Sequence, residues 1–168
     1  TLEARVSIPS GATAGVVLCH PHPLYGGDMD SSVVIRAAEA CATRKRATLR
    51  FNFRGVGAST GKHDDGRGEQ DDVRAALAEL RRRLPAGAGI GLAGYSFGAA
   101  VAAAVAGGTP VAGLALIAPP ARIVPMTPPT AVSGPCLVVI GAEDQYCPPA
   151  ALEAIRGAIP QITLTVID

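Results

Sequence analysis

The architecture of this chain turns on Gly87-Ala88-Gly89-Ile90-Gly91-Leu92-Ala93-Gly94-Tyr95-Ser96-Phe97-Gly98-Ala99-Ala100. Its small and apolar residues read as a buried strand over Gly89–Gly94, and the alanines that follow read as a buried helix over Phe97–Ala106. A single hydroxyl, Ser96, stands at the junction inside a G-x-S-x-G pattern, with a strand before it and a helix after it. A strand that turns straight into a helix holds its apex residue in a strained conformation with the side chain projecting from the sheet. Gly94 and Gly98 have no Cβ, so neighbouring backbone can come close. The helix aims its first amides at the apex, and the Phe97 N–H, aided by the helix dipole, is placed to stabilise an oxyanion. Two readings follow: Ser96 is a nucleophile, or it is an incidental serine in a tight turn.

Working outward, β-branched apolar runs alternate with helical patterns. Leu2–Ile8 alternates in period two and reads as a half-exposed strand; the turn at Pro9-Ser10-Gly11 implies that the next strand, Gly15–His20, returns antiparallel. Asp30 or Ser31 is placed to cap a helix that runs to about Arg44 and turns Val34, Ala37, Ala38 and Cys41 inward. A strand at Ala47–Phe53, a glycine-rich loop at Gly55–Gly68 and a helix from Glu69 to Leu84 come next. That helix buries Val73, Leu77, Leu80 and Leu84 and stops at Pro85. Beyond the opening stretch lie strands at Val111–Ala118, Cys136–Gly141 and Ile162–Ile167, and a helix near Pro149–Ala158. Continuous apolar strands separated by helices specify an α/β fold, a mostly parallel sheet with helices on both faces. Residues 1–168 read as one domain with no cap, because the proline-rich loop from Pro119 to Pro135 is too short to build one.

Composition sets the outer bounds. With 48% apolar and 17% charged residues in 168, the chain has the material for one packed core. A net charge of +1 implies neither a nucleic-acid partner nor an anionic membrane, and no apolar run approaches the roughly 18 residues of a membrane span. Arg81, Arg82 and Arg83 close a helix, where cations suit the dipole. No targeting segment is legible. The four cysteines, Cys19, Cys41, Cys136 and Cys147, show no CxxC pairing and no clustering with histidine. They read as reduced thiols of a cytoplasmic protein, with no metal site and no cofactor.

Three other segments leave the carboxyl ends of strands, where ligands gather in an open parallel sheet. In His20-Pro21-His22-Pro23-Leu24-Tyr25-Gly26-Gly27 the alternating prolines stiffen the loop. Two histidines there suit either metal and acid–base work or, the reading favoured here, a rigid frame for backbone donors to an oxyanion. His22 and Leu24 carry N–H groups for that purpose; Pro21 and Pro23 do not. Tyr25 completes the candidate substrate-binding set with Phe97. In Phe51-Asn52-Phe53-Arg54-Gly55-Val56-Gly57-Ala58-Ser59, Arg54 is expected to pin the loop to carbonyls or a carboxylate. In Gly141-Ala142-Glu143-Asp144-Gln145-Tyr146-Cys147-Pro148, Asp144 is preferred over Glu143 as a carboxylate that orients a histidine, with a helix cap as its other reading. Cys147 lacks a base of its own, and His63, in a polar loop, reads as solvent-exposed.

Together these segments, with Asp65-Gly66-Arg67-Gly68-Glu69, resemble the α/β-hydrolase superfamily, and within it the small lidless bacterial hydrolases related to dienelactone hydrolase and to serine aminopeptidase-type enzymes. The resemblance implies an α/β-hydrolase fold with Ser96 as nucleophile on a nucleophile elbow, Asp144 as acid of a catalytic triad, and oxyanion donors from Phe97 and the loop around His22. It implies a serine hydrolase of carboxylic ester-like bonds that works on a small-molecule substrate through an acyl-enzyme. A peptidase or thioesterase on the same scaffold, and a non-catalytic binding protein of this fold, are the alternatives. In this superfamily the histidine follows the acid along the chain, yet no histidine occurs after His63. Both ends of the sequence read as cut, so the expectation is a fold truncated at its C-terminus, its catalytic histidine beyond Asp168 and the segment itself almost inactive.

Overall fold

The computed structural model describes residues 1–122, 129–148, 156–157 and 162–168. The strands are β1 (Ala4–Ser7), β2 (Ala14–Cys19), β3 (Ala47–Phe51), β4 (Gly89–Tyr95), β5 (Leu114–Ile117), β6 (Cys136–Gly141) and β7 (Ile162–Ile167). Among the described residues the longer helices are α1 (Ser32–Ala42), α2 (Gly68–Arg83) and α3 (Phe97–Ala106). The seven strands form one sheet in the order β1-β3-β2-β4-β5-β6-β7, with every neighbouring pair parallel except β1 and β3.

Side-chain alternation along the central strands separates two apolar layers. Val17, Cys19, Leu49, Ile90 and Leu92 face α2 and α3, whose Val73, Leu77, Leu80, Ala99, Ala102 and Ala103 complete the main core. Leu18 and Ala93 point the other way and meet Val34, Ala37 and Ala38 of α1. After β3 the chain crosses back to place β4 on the other side of β2. The carboxyl ends of β2 and β4 are therefore a topological switch point, with a crevice between the loops that leave in opposite directions.

Several expectations are adjusted. β1 runs opposite to β2, but it hydrogen-bonds to β3, with Ala4 opposite Phe51, so Pro9–Gly11 does not close a hairpin between neighbours. Ser31 precedes α1 without capping it; its Oγ accepts from the Asp28 N–H at 3.3 Å, and Asp30 pairs with Arg50 at 2.6 Å. The strand expected from Val111 begins at Leu114, Val111 making only an isolated bridge to Val132. Of the helix expected near Pro149–Ala158, Arg156 and Gly157 are helical and the remainder lies outside the described residues. Among the described residues no helix is long and apolar enough to cross a membrane.

Close backbone approach fixes how α3 sits. A Cβ on Gly98 would stand 2.5 Å from the carbonyl oxygens of both Cys19 and His20, and one on Gly94 would strike the Gly98 carbonyl. Backbone cannot yield as a flexible side chain can. Gly98→Ala is expected to destabilise the fold by about 1–3 kcal/mol, read as a lower urea midpoint at unchanged slope.

Candidate active site

The loop after β2 is held from within. His20 is fully buried; its Nε2 accepts from the Phe53 N–H at 3.0 Å, which leaves the proton on Nδ1 to donate to the Pro21 carbonyl at 2.6 Å. Both nitrogens are committed, so His20 clamps the end of β2 to the end of β3 and is not a base. Burial pushes its pKa below the ordinary histidine value, partly offset by the hydrogen bond to Pro21 and by Asp28.

From Pro23 to Gly27 the chain closes on itself. The amides of Tyr25 and Gly27 donate to the His22 carbonyl, each at 3.1 Å, and that of Gly26 to Pro23 at 3.3 Å. The Leu24 N–H donates to His22 Nδ1 at 3.2 Å, so this expected oxyanion donor is already engaged. The Leu24 and Tyr25 side chains are both exposed, and only Tyr25 lines the cleft described below.

Ser96 lies between β4 and α3 at φ 52°, ψ −117°, a region that a residue with a Cβ rarely enters. Its N–H donates to the Ile117 carbonyl at 2.8 Å, and its own carbonyl accepts from Ala99 and Ala100 at 2.9 and 3.3 Å. The Phe97 N–H has no acceptor among the described residues. Its ring packs against His22 at 4.9 Å and Phe53 at 5.7 Å. Ser96, Phe97, His22 and Tyr25 thus share one cleft of about 540 Å³, whose lining Pro21, Asp65, Pro120 and Tyr146 complete.

Asp144 lies elsewhere. It follows β6 and uses Oδ1 to accept from the amides of Tyr146 at 2.8 Å and Cys147 at 3.2 Å. It lines a second cleft of about 560 Å³ at the carboxyl ends of β5, β6 and β7, with Ile117, Ile140 and Ile167. Asp144 Oδ2 has no hydrogen-bond partner among the described residues, whereas Glu143 is exposed. One strand, β5, separates the strands that lead to Ser96 and Asp144, so the two chain paths stand about 10 Å apart.

The loop after β3 is fastened by carboxylates. The Arg54 guanidinium grips Asp72 through Nη2 at 2.8 Å and Nε at 3.1 and 3.2 Å, and the Arg54 N–H reaches the same carboxylate at 2.9 Å. His63 corrects an expectation: its side chain is only 11% exposed. Nδ1 lies 2.9 Å from Glu69 Oε1 and Nε2 lies 3.4 Å from Asp65 Oδ1, although neither contact is aligned as a hydrogen bond. Glu69 is fully buried and accepts from the amides of Asp64 and Gly66, each at 2.9 Å. Sequence reasoning passed over Glu69 and Asp72. The available signal was their place on the inner face of α2, four residues before Val73 and Ala76, where a carboxylate requires a partner.

The four cysteines are free, and burial raises the thiols of Cys19, Cys41, Cys136 and Cys147. Among the described residues no group of three or more His, Cys, Asp or Glu side chains is placed to hold a metal ion.

A family model described as alpha/beta hydrolase fold matches residues 16–132. The chain is 36% identical to an alpha-beta serine hydrolase homologue of Coxiella burnetii, over 99% of this chain and 81% of that one, with a TM-score of 0.89. It is 35% identical to a lidless serine hydrolase of Xanthomonas campestris, over 99% and 78% of the two chains, with a TM-score of 0.83. An uncharacterised protein of Rickettsia prowazekii is 41% identical over 102 residues, which are 60% of this chain but only 43% of that protein.

His20 gives a pH test. A histidine whose folded pKa is depressed contributes stability that is complete above the unfolded value of about 6.5 and falls away as pH drops below it. Unfolding free energy is expected to decline from pH 7 to pH 5, and to decline less steeply in His20→Gln, measured by urea titration at each pH.

Proposed function

The chain belongs to the alpha/beta hydrolase fold family, and on that premise we propose that it is a serine hydrolase of carboxylic ester-like bonds. The observation that carries this reading is Ser96 itself. Its strained backbone sits at the start of α3, in a cleft, beside an amide with no acceptor among the described residues. A structural serine has no need of the strain, and a nucleophile presented to a carbonyl does.

In the mechanism, Ser96 Oγ attacks the ester carbonyl and an imidazole takes its proton. The Phe97 N–H receives the developing oxyanion at the helix N-terminus, with the His22 N–H as second backbone donor, since the amides from Leu24 to Gly27 are spent within the loop. The imidazole returns its proton to the leaving alcohol, and water then repeats the sequence on the acyl-enzyme.

Asp144 is the orienting acid. Two backbone amides hold its Oδ1 and leave Oδ2 for an imidazole N–H. The gap of about 10 Å between the strands that carry Ser96 and Asp144 is one that a single imidazole bridges. None of the three histidines fits: His20 has both nitrogens committed, His22 Nδ1 holds Leu24, and His63 lies between Glu69 and Asp65. We therefore assign the base to a histidine outside residues 1–168. On this reading residues 1–168 are a single domain without a cap, and the substrate is a small molecule.

The test uses the natural full-length chain. A fluorophosphonate is expected to add one covalent mass at Ser96 and none in Ser96→Ala. Ester turnover is expected to fall about 10³- to 10⁴-fold in Asp144→Asn with little change in KM. Turnover that survives Ser96→Ala refutes the reading.

A further inference from the structure

Besides the His22 N–H, assigned above to the oxyanion, the loop after β2 leaves a second polar group of the same residue unengaged. Pro21 and Pro23 have no N–H, and the amides of Leu24, Tyr25, Gly26 and Gly27 are all taken up inside the loop. The His22 imidazole is different. Its Nδ1 accepts from the Leu24 N–H, so the neutral ring carries its proton on Nε2. Nδ1 faces back into the loop, and the Nε2–H bond, on the other side of Cε1, points in a different direction. Nε2 has no hydrogen-bond partner among the described residues, and it is not among the enclosed polar atoms that lack one. The ring lines the Ser96 cleft and is packed by Tyr25 at 4.7 Å, Phe97 at 4.9 Å and His63 at 5.0 Å. Its orientation is thus set on several sides before any ligand arrives.

We infer that the His22 imidazole is a specificity-determining substrate contact: its Nε2–H binds a neutral acceptor oxygen that the substrate carries outside the scissile carbonyl. This rests on Ser96 being the nucleophile. Three features support it. The cleft is mostly apolar, so an all-carbon group laid over Nε2–H would strip its water and return no hydrogen bond. Burial, and then His63 beside it, hold the ring's pKa below the ordinary histidine value against the weaker pull of Asp65 and Glu69, which favours the neutral form. Those same two carboxylates, Asp65 on the cleft and Glu69 behind His63, disfavour an anionic group at this place. The substrate class is therefore an ester with an ether, hydroxyl or carbonyl oxygen near the reacting bond.

Two matched ester pairs test it on the full-length protein. An aryl methoxyacetate is compared with the aryl butyrate, and a 2-methoxyethyl ester with the butyl ester of the same acid. Within each pair, the ratio of kcat/KM values cancels any general loss in a variant. In at least one pair the ratio is expected to fall about fivefold in His22→Phe, the effect of one net hydrogen bond. His22→Leu, a second apolar replacement, is expected to show the same fall, and His22→Gln, which keeps an N–H of similar reach, to recover most of it. Ratios that match the parent in both pairs overturn the inference while leaving the Ser96 reading intact. Turnover that persists in Ser96→Ala overturns both.

Discussion

The approach of α3 to the end of β2 is the contact on which the rest of the site depends. Gly98 lies against the Cys19 and His20 carbonyls with no room for a Cβ. That contact sets the distance between the turn holding Ser96 and the loop holding His22. It also puts Phe97 where its ring meets His22, Phe53 and His63. Alanines along α3 let the helix lie close to the sheet, and the cost is a backbone turn through a conformation that Ser96 would not adopt alone.

A set of buried or half-buried polar groups then holds the loops in place. His20 ties β2 to β3, Asn52 joins Glu3 to the Met29 amide, and Asp72 secures Arg54. Glu69 gathers the Asp64 and Gly66 amides and stands beside His63. A carboxylate with no exposure is costly unless it is fully partnered. Partnering also disfavours alternative conformations of the loop from Arg54 to Gly68, whose Asp65 lines the cleft. The three histidines differ in consequence: His20 is a clamp, His63 is wedged between carboxylates, and His22 lines the cleft with its Nδ1 engaged by the Leu24 amide.

Strand order explains why the proposed nucleophile and acid lie in separate clefts. Ser96 follows β4 and Asp144 follows β6, with β5 between them. Tyr146, two residues past Asp144, reaches the lining of the Ser96 cleft, so the loop after β6 borders both. An orienting acid does not need to touch the nucleophile; it needs a free oxygen at the far edge of one imidazole.

Much of this was legible from local pattern. The strand–serine–helix junction, the parallel sheet and the boundaries of α3, β6 and β7 follow from periodicity and from the small residues around Ser96, because each is set by neighbours along the chain. The pairing of β1 with β3, the burial of His63 and the division of Ser96 and Asp144 between two clefts were not legible. Each depends on groups far apart in the sequence that pack together only once strand order is set. A histidine in a polar loop looks solvated until Glu69, on the inner face of the next helix, is brought beside it. Periodicity reports which side chains turn inward; it does not report what they meet there, and only the packed structure brings His20 to the Phe53 amide, His63 to Glu69 and His22 to Phe97.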